Sequence, residues 1–94
     1  MAKAIWNGKV IAESEEVIQV VDAYYFPKES INMNYLKPSN TTTYCFWKGE
    51  ASYYNIEVDG KTNPNAAWYY PDPSPMAENI RDKVAFWRGV EIKL

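Results

Sequence analysis

The clearest pattern in the chain is a strict alternation from Glu50 to Val58. Ser52, Tyr54, Ile56 and Val58 fall on one face and Ala51, Tyr53, Asn55 and Glu57 on the other, which is the two-residue period of a β-strand. Asp59-Gly60 follows and supplies the positive-φ residues of a hairpin turn toward Lys61-Thr62. The same device stands near the N-terminus, where Asn7-Gly8 separates Ala4-Ile5-Trp6 from Lys9-Val10-Ile11-Ala12 and predicts a type I′ hairpin. Val17-Ile18-Gln19-Val20-Val21 is apolar nearly throughout, the pattern of a strand buried on both faces. It leads into Tyr24-Tyr25-Phe26, which Pro27 ends because proline cannot donate to a ladder. Near the C-terminus Val84 and Phe86, then Val90, Ile92 and Leu94, restore the two-residue period.

Between these runs the pattern breaks. Residues 28 to 40 lie between strands, and Ile31, Tyr35 and Leu36 share one side at helical spacing. This predicts an ordered loop with a helical turn pinned onto the sheet. Asn63-Pro64-Asn65 interrupts the return from the second hairpin, so Ala66-Ala67-Trp68-Tyr69-Tyr70 is either a separate strand or starts after a bulge. Pro71-Asp72-Pro73-Ser74-Pro75 reads as a stiff, extended connector. Met76 to Arg81 then suits a short helix with Ser74 as cap and Pro75 at its first position.

Composition supports the mainly β reading. Leucine occurs twice, at Leu36 and Leu94, while Val, Ile, Tyr and Trp are abundant and turn residues recur about every 8–12 positions. The expected fold is mainly β, a compact single domain over residues 1–94 with one or two short helical turns. A chain this size buries only roughly 60–65% of its unfolded surface, so large rings are one way to build a sufficient core. There are 15 aromatic residues to do it. Trp6-Asn7-Gly8, Trp47-Lys48-Gly49 and Trp87-Arg88-Gly89 repeat a Trp-x-Gly unit whose plainest meaning is a Trp packed beside a glycine turn.

Charge and residue inventory narrow the chemistry. Ten basic and 12 acidic residues leave a net charge of −2, without a basic stripe, so no nucleic-acid partner is expected. No run approaches the roughly 18 apolar residues of a membrane span, and the N-terminus has no secretory pattern. The expectation is therefore a cytoplasmic protein without a membrane partner. Histidine is absent, which removes every Ser-His, Cys-His and His-metal arrangement. A single cysteine excludes an intrachain disulfide framework. The residues imply no cofactor and no metal site. Magnesium-dependent nucleotidyl transfer needs closely spaced carboxylates. The one such pair, Glu57 and Asp59, reads first as an exposed hairpin end.

Two sets of side chains remain as candidates. On a strand through Thr43, Cys45 and Trp47 the thiol would point with the indole, and Lys48 follows closely. A nearby cation favours the thiolate needed for nucleophilic work. The alternative for Cys45 is a small buried hydrophobe. Trp47, Tyr53, Trp68, Tyr70 and Trp87 exceed what one small core must hold. They would suit a cleft for a planar or anionic small ligand, with Lys48 or Arg88 at its mouth. They equally suit a core, or a patch through which the chain forms a homodimer.

The run Cys45-Phe46-Trp47-Lys48-Gly49-Glu50-Ala51-Ser52-Tyr53-Tyr54 and the later Ala67-Trp68-Tyr69-Tyr70-Pro71-Asp72-Pro73 resemble the signature of a bacterial family, domain of unknown function 427. That family also carries a nucleotidyltransferase label. The Trp6-Asn7-Gly8 hairpin, Tyr25-Phe26-Pro27, Tyr35-Leu36-Lys37-Pro38-Ser39 and Val84-Ala85-Phe86-Trp87 match in order, so the resemblance spans essentially the whole chain. It departs at Phe46, where a proline is expected after the cysteine. The resemblance implies two small packed antiparallel sheets in a tent-like arrangement and directs attention to Cys45, Lys48, Gly49, Tyr53, Trp68 and Tyr70. The resulting expectation is binding of a small molecule or a protein partner through an aromatic cleft near Cys45 and Lys48. The alternative is an enzyme, thiol-dependent through Cys45 or a nucleotidyltransferase.

Overall fold

The computed structural model describes residues 1–94 and contains nine strands in two antiparallel sheets. Strands β1 (Ala2–Trp6) and β2 (Lys9–Ser14) form the expected hairpin, with Trp6 opposite Lys9 and both Asn7 (φ 50) and Gly8 (φ 77) in the left-handed region. The C-terminal strand β9 (Glu91–Lys93) pairs with β1 and completes a three-stranded sheet ordered β2-β1-β9. The larger sheet contains β3 (Ile18–Val20), β4 (Ala23–Pro27), β5 (Leu36–Cys45), β6 (Gly49–Val58), β7 (Lys61–Tyr69) and β8 (Lys83–Phe86). Its order is β3-β4-β8-β7-β6-β5.

The alternation seen along β6 is the key to the architecture, because both of its faces are used. Tyr54, Ile56 and Val58 enter one cluster, together with Ala4 and Ile11 of the small sheet and Phe26, Val84 and Phe86 of the large one. Ala51 enters a second cluster on the opposite face, with Tyr25, Ala85, Tyr70, Ala77 and Ile80. Neighbouring residues therefore divide between the two: Tyr25 from Phe26, and Ala85 from Val84 and Phe86. The small sheet covers the first face. A 3₁₀ segment, Pro75–Ile80, covers part of the second through Ala77 and Ile80. The rings do not dominate the main core, which is built largely from Ala, Ile and Val around the Phe26–Phe86 edge contact at 5.6 Å. Three of the four tryptophans gather on the second face, Trp47 and Trp68 in its cluster and Trp87 against Trp68, whereas Trp6, Tyr24, Tyr35 and Tyr69 pack around the first.

Three expectations need correction. The apolar run at Val17–Val21 is not a strand buried on both faces. Only Ile18–Val20 is extended, at the sheet edge, and Val21 is 69% exposed in the turn to β4 with φ 57. An edge position leaves one side of the ladder unpaired, so apolar content alone cannot establish burial.

The loop from residue 28 ends sooner than its composition suggests. Two 3₁₀ turns, Lys28–Ser30 and Met33–Tyr35, are followed directly by β5, which begins at Leu36 and contains Pro38. Proline is tolerated there because β5 is an edge strand. Ile31 and Leu36 are buried as the helical spacing required.

Finally, Trp47 is not on a strand with Cys45. Strand β5 ends at Cys45, and Phe46, Trp47 and Lys48 form the turn into β6. The Asn63-Pro64-Asn65 interruption is a bulge within one continuous β7: Tyr54 pairs with Ala67, yet Ile56 pairs with Asn63. Asn65 (φ 55) donates its backbone N–H to Asn55 Oδ1 at 2.9 Å, so a side chain substitutes for the broken ladder. No helix is long and apolar enough to cross a membrane.

Candidate functional site

A single cross-strand row builds the floor of the site. Tyr53 of β6 is opposite Trp68 of β7, Trp68 is opposite Ala85 of β8, and Ala85 is opposite Tyr25 of β4. Residues in such a row share one face of a sheet. Tyr25 and Trp68 lie two strands apart, about 10 Å by strand spacing. Because Ala85 between them is small and fully buried, their rings still meet edge to face at 6.3 Å. Trp68 Nε1 donates to the Tyr25 hydroxyl at 3.3 Å. Trp68 also meets Tyr53 at 6.5 Å and Trp87 at 5.6 Å, which makes it the hub of the cluster.

Trp87 reaches this position through the bulge. Its backbone N–H donates to Ala66 O at 2.9 Å and its indole Nε1 to Asn65 O at 2.6 Å. Asn63 Nδ2 donates to Arg88 O at 2.7 Å, tying down the following turn. The left-handed conformation at Asn65 thus turns a backbone carbonyl toward an indole that lines the site. Arg88 is not among the residues that line the cavity, and its guanidinium stacks on the Trp87 ring at 4.6 Å.

Lys48 is held by the turn between β5 and β6. Its carbonyl accepts from Ser74 N–H at 2.9 Å, and the Ser74 hydroxyl donates to Trp47 O. Ser74 therefore heads the 3₁₀ segment without capping it through its side chain. Gly49, at φ +111, completes the turn, and a Cβ there would lie 3.3 Å from Asp72 O. Only glycine suits both the conformation and the close approach. The Lys48 ammonium lies 5.0 Å from the Trp47 ring centroid, 5.8 Å from Tyr70 and 5.9 Å from Tyr25, within cation–π range.

Lys48, Tyr53, Trp68, Tyr70 and Trp87 line an open cavity of about 190 Å³. Trp47 and Cys45 pack against the same cluster but do not line it. Burial pushes the Tyr70 phenol well above its ordinary value, with Tyr25, Cys45 and Tyr53 as polar neighbours, so the hydroxyl stays protonated. Tyr53 shares a hydrogen bond with Thr43 Oγ1 at 3.0 Å. No three His, Cys, Asp or Glu side chains come together anywhere in the fold, and Glu57 and Asp59 occupy an exposed hairpin end. Two larger depressions, of about 290 Å³ around Met1, Ser14 and Leu94 and about 300 Å³ around Val10, Glu13 and Asn32, lie away from the ring cluster.

Tyr25 is the member of this site that the sequence does not single out. It is completely buried, supports both Trp68 and Lys48, and joins them through the β4–β8–β7 pairing. No local motif announces such a pairing. The fold and the site together describe a two-sheet antiparallel β domain, with an aromatic cluster on the open face of its larger sheet. The chain belongs to the DUF427 family, a domain of unknown function whose family model, NTP_transf_9, matches residues 1–93. A search among curated proteins finds no match for it.

Proposed function

We propose that this protein binds a small ligand in the cavity bounded by Lys48, Tyr53, Trp68, Tyr70 and Trp87. One observation carries the reading: side chains from two strands (Tyr53, Trp68), from just past the ends of β7 and β8 (Tyr70, Trp87) and from one turn (Lys48) converge on one apolar-walled space that holds a single charged group. A volume of about 190 Å³ is below the roughly 300–1,000 Å³ of pockets that enclose drug-sized ligands. It suits one or two fused rings. The catalytic alternatives have less support, because Cys45 does not line the cavity and no carboxylate does.

The indole N–H signals of the four tryptophans provide the test. In a nuclear magnetic resonance screen of small aromatic fragments, Trp68 and Trp87 should shift while Trp6, packed against the other cluster, stays in place. Trp87→Ala removes a rim residue that is 42% exposed and should abolish the Trp68 shift in a folded protein. Fragments that leave Trp68 and Trp87 unmoved, or that move Trp6 equally, overturn the proposal.

A further inference from the structure

We infer that the cavity selects a planar aromatic carboxylate, an inference that rests on the binding reading above. Lys48 is the only charged residue in the lining. It takes part in none of the ion pairs of the structure, which join Lys3 to Glu13, Lys9 to Asp59, and Arg81 to Asp72 and Glu78. Its ammonium is balanced by ring faces alone. A cation so placed still has strong hydrogen bonds to give, and an anionic acceptor takes them best.

The other polar groups agree in sign. The Trp68 and Trp87 N–H groups are already committed to Tyr25 and to Asn65 O, and Tyr53 is engaged with Thr43. The Tyr70 hydroxyl has that of Tyr25 as its partner, which leaves the Lys48 ammonium as the uncommitted donor of the lining. The lining thus presents one charged donor, Lys48, among ring faces, which matches a flat hydrocarbon ring bearing a carboxylate. A cationic ligand is disfavoured by the same geometry. Of the lining rings only Tyr70 faces the Lys48 ammonium, so it is the charge of Lys48 itself that opposes a second cation.

Titration of benzoate and indole-3-carboxylate against benzamide and indole-3-carboxamide, followed through the Trp68 and Trp87 indole signals, tests the inference. The acids should bind at least tenfold more tightly than their amides, with the gap narrowing in high salt. Lys48→Met should erase the preference, bringing the ratio of acid to amide affinity to about one, and Lys48→Arg should retain part of it. Phenyltrimethylammonium should bind more weakly than benzoate. Amides that bind as well as acids, or a preference that survives Lys48→Met, overturn the carboxylate inference and leave the cavity reading standing. If neither acids nor amides shift the indole signals, both fall.

Discussion

The two faces of the large sheet draw on the same strands and reach different ends. On the covered face, Phe26, Ile56, Val58, Val84 and Phe86 meet a second sheet and close into a core with no polar residue buried in it. On the other, Tyr25, Trp68 and Tyr70 meet only a short 3₁₀ segment and a connector, leaving space beside them. The covered face is filled chiefly by Ala, Ile, Val and Phe, with Tyr54 as its one buried phenol, stacked on Tyr69. The open face uses rings with polar handles, which tolerate a boundary with water. One strand can serve both because its side chains alternate, so Tyr53 and Tyr54 are neighbours in sequence and belong to different environments.

Substitutions should separate the two faces. The largest expected effect is on the closed side, where Phe26→Ala should destabilise by about 3–5 kcal/mol in urea unfolding, since the ring is fully buried between sheets. A loss under 1 kcal/mol would mean that the sheets are not packed as described. Ala85→Leu should cost about 1–3 kcal/mol by overpacking. It should also separate Tyr25 from Trp68, detectable as a changed tryptophan emission.

Alkaline pH sharpens the contrast further. Tyr70 and, less strongly, Tyr54 are held by burial above the ordinary phenol value of 10.0. The unfolded chain releases these protons first, so the associated stability is complete below pH 10 and declines as pH rises beyond it. Tyr70→Phe should therefore flatten the fall in stability between pH 10 and 12 relative to the parent. An unchanged slope would show that Tyr70 is as solvated folded as unfolded. The smallest effect belongs to Phe46→Ser, within about 0.5 kcal/mol, because that ring is 86% exposed in the turn.

Much of the local structure was legible. Asn7-Gly8 and Asp59-Gly60 could hardly be anything but tight hairpin turns, and the alternation of β6 announced its two faces. What escaped was whatever depended on distant partners. Val17–Val21 looked internal because its apolar content says nothing about which strand lies beyond it. Pro38 looked like a loop residue because tolerance of proline depends on being at an edge. In the site, Tyr53, Trp68, Tyr70, Trp87 and Lys48 stood out by residue type and turn position. Tyr25 did not, because its adjacency to Trp68, 43 residues further along the chain, is created by β8 inserting between β4 and β7.

The double attachment of Ser74 to the turn that carries Lys48 has a kinetic consequence. With the Trp47 and Lys48 carbonyls both engaged and Gly49 pressed against Asp72 O, the backbone beneath the ammonium is already where a ligand would meet it. Binding then requires no loop to order first. Association should be a single fast phase whose rate rises linearly with ligand concentration. Differences in affinity among related ligands would then appear almost entirely as differences in how quickly they leave.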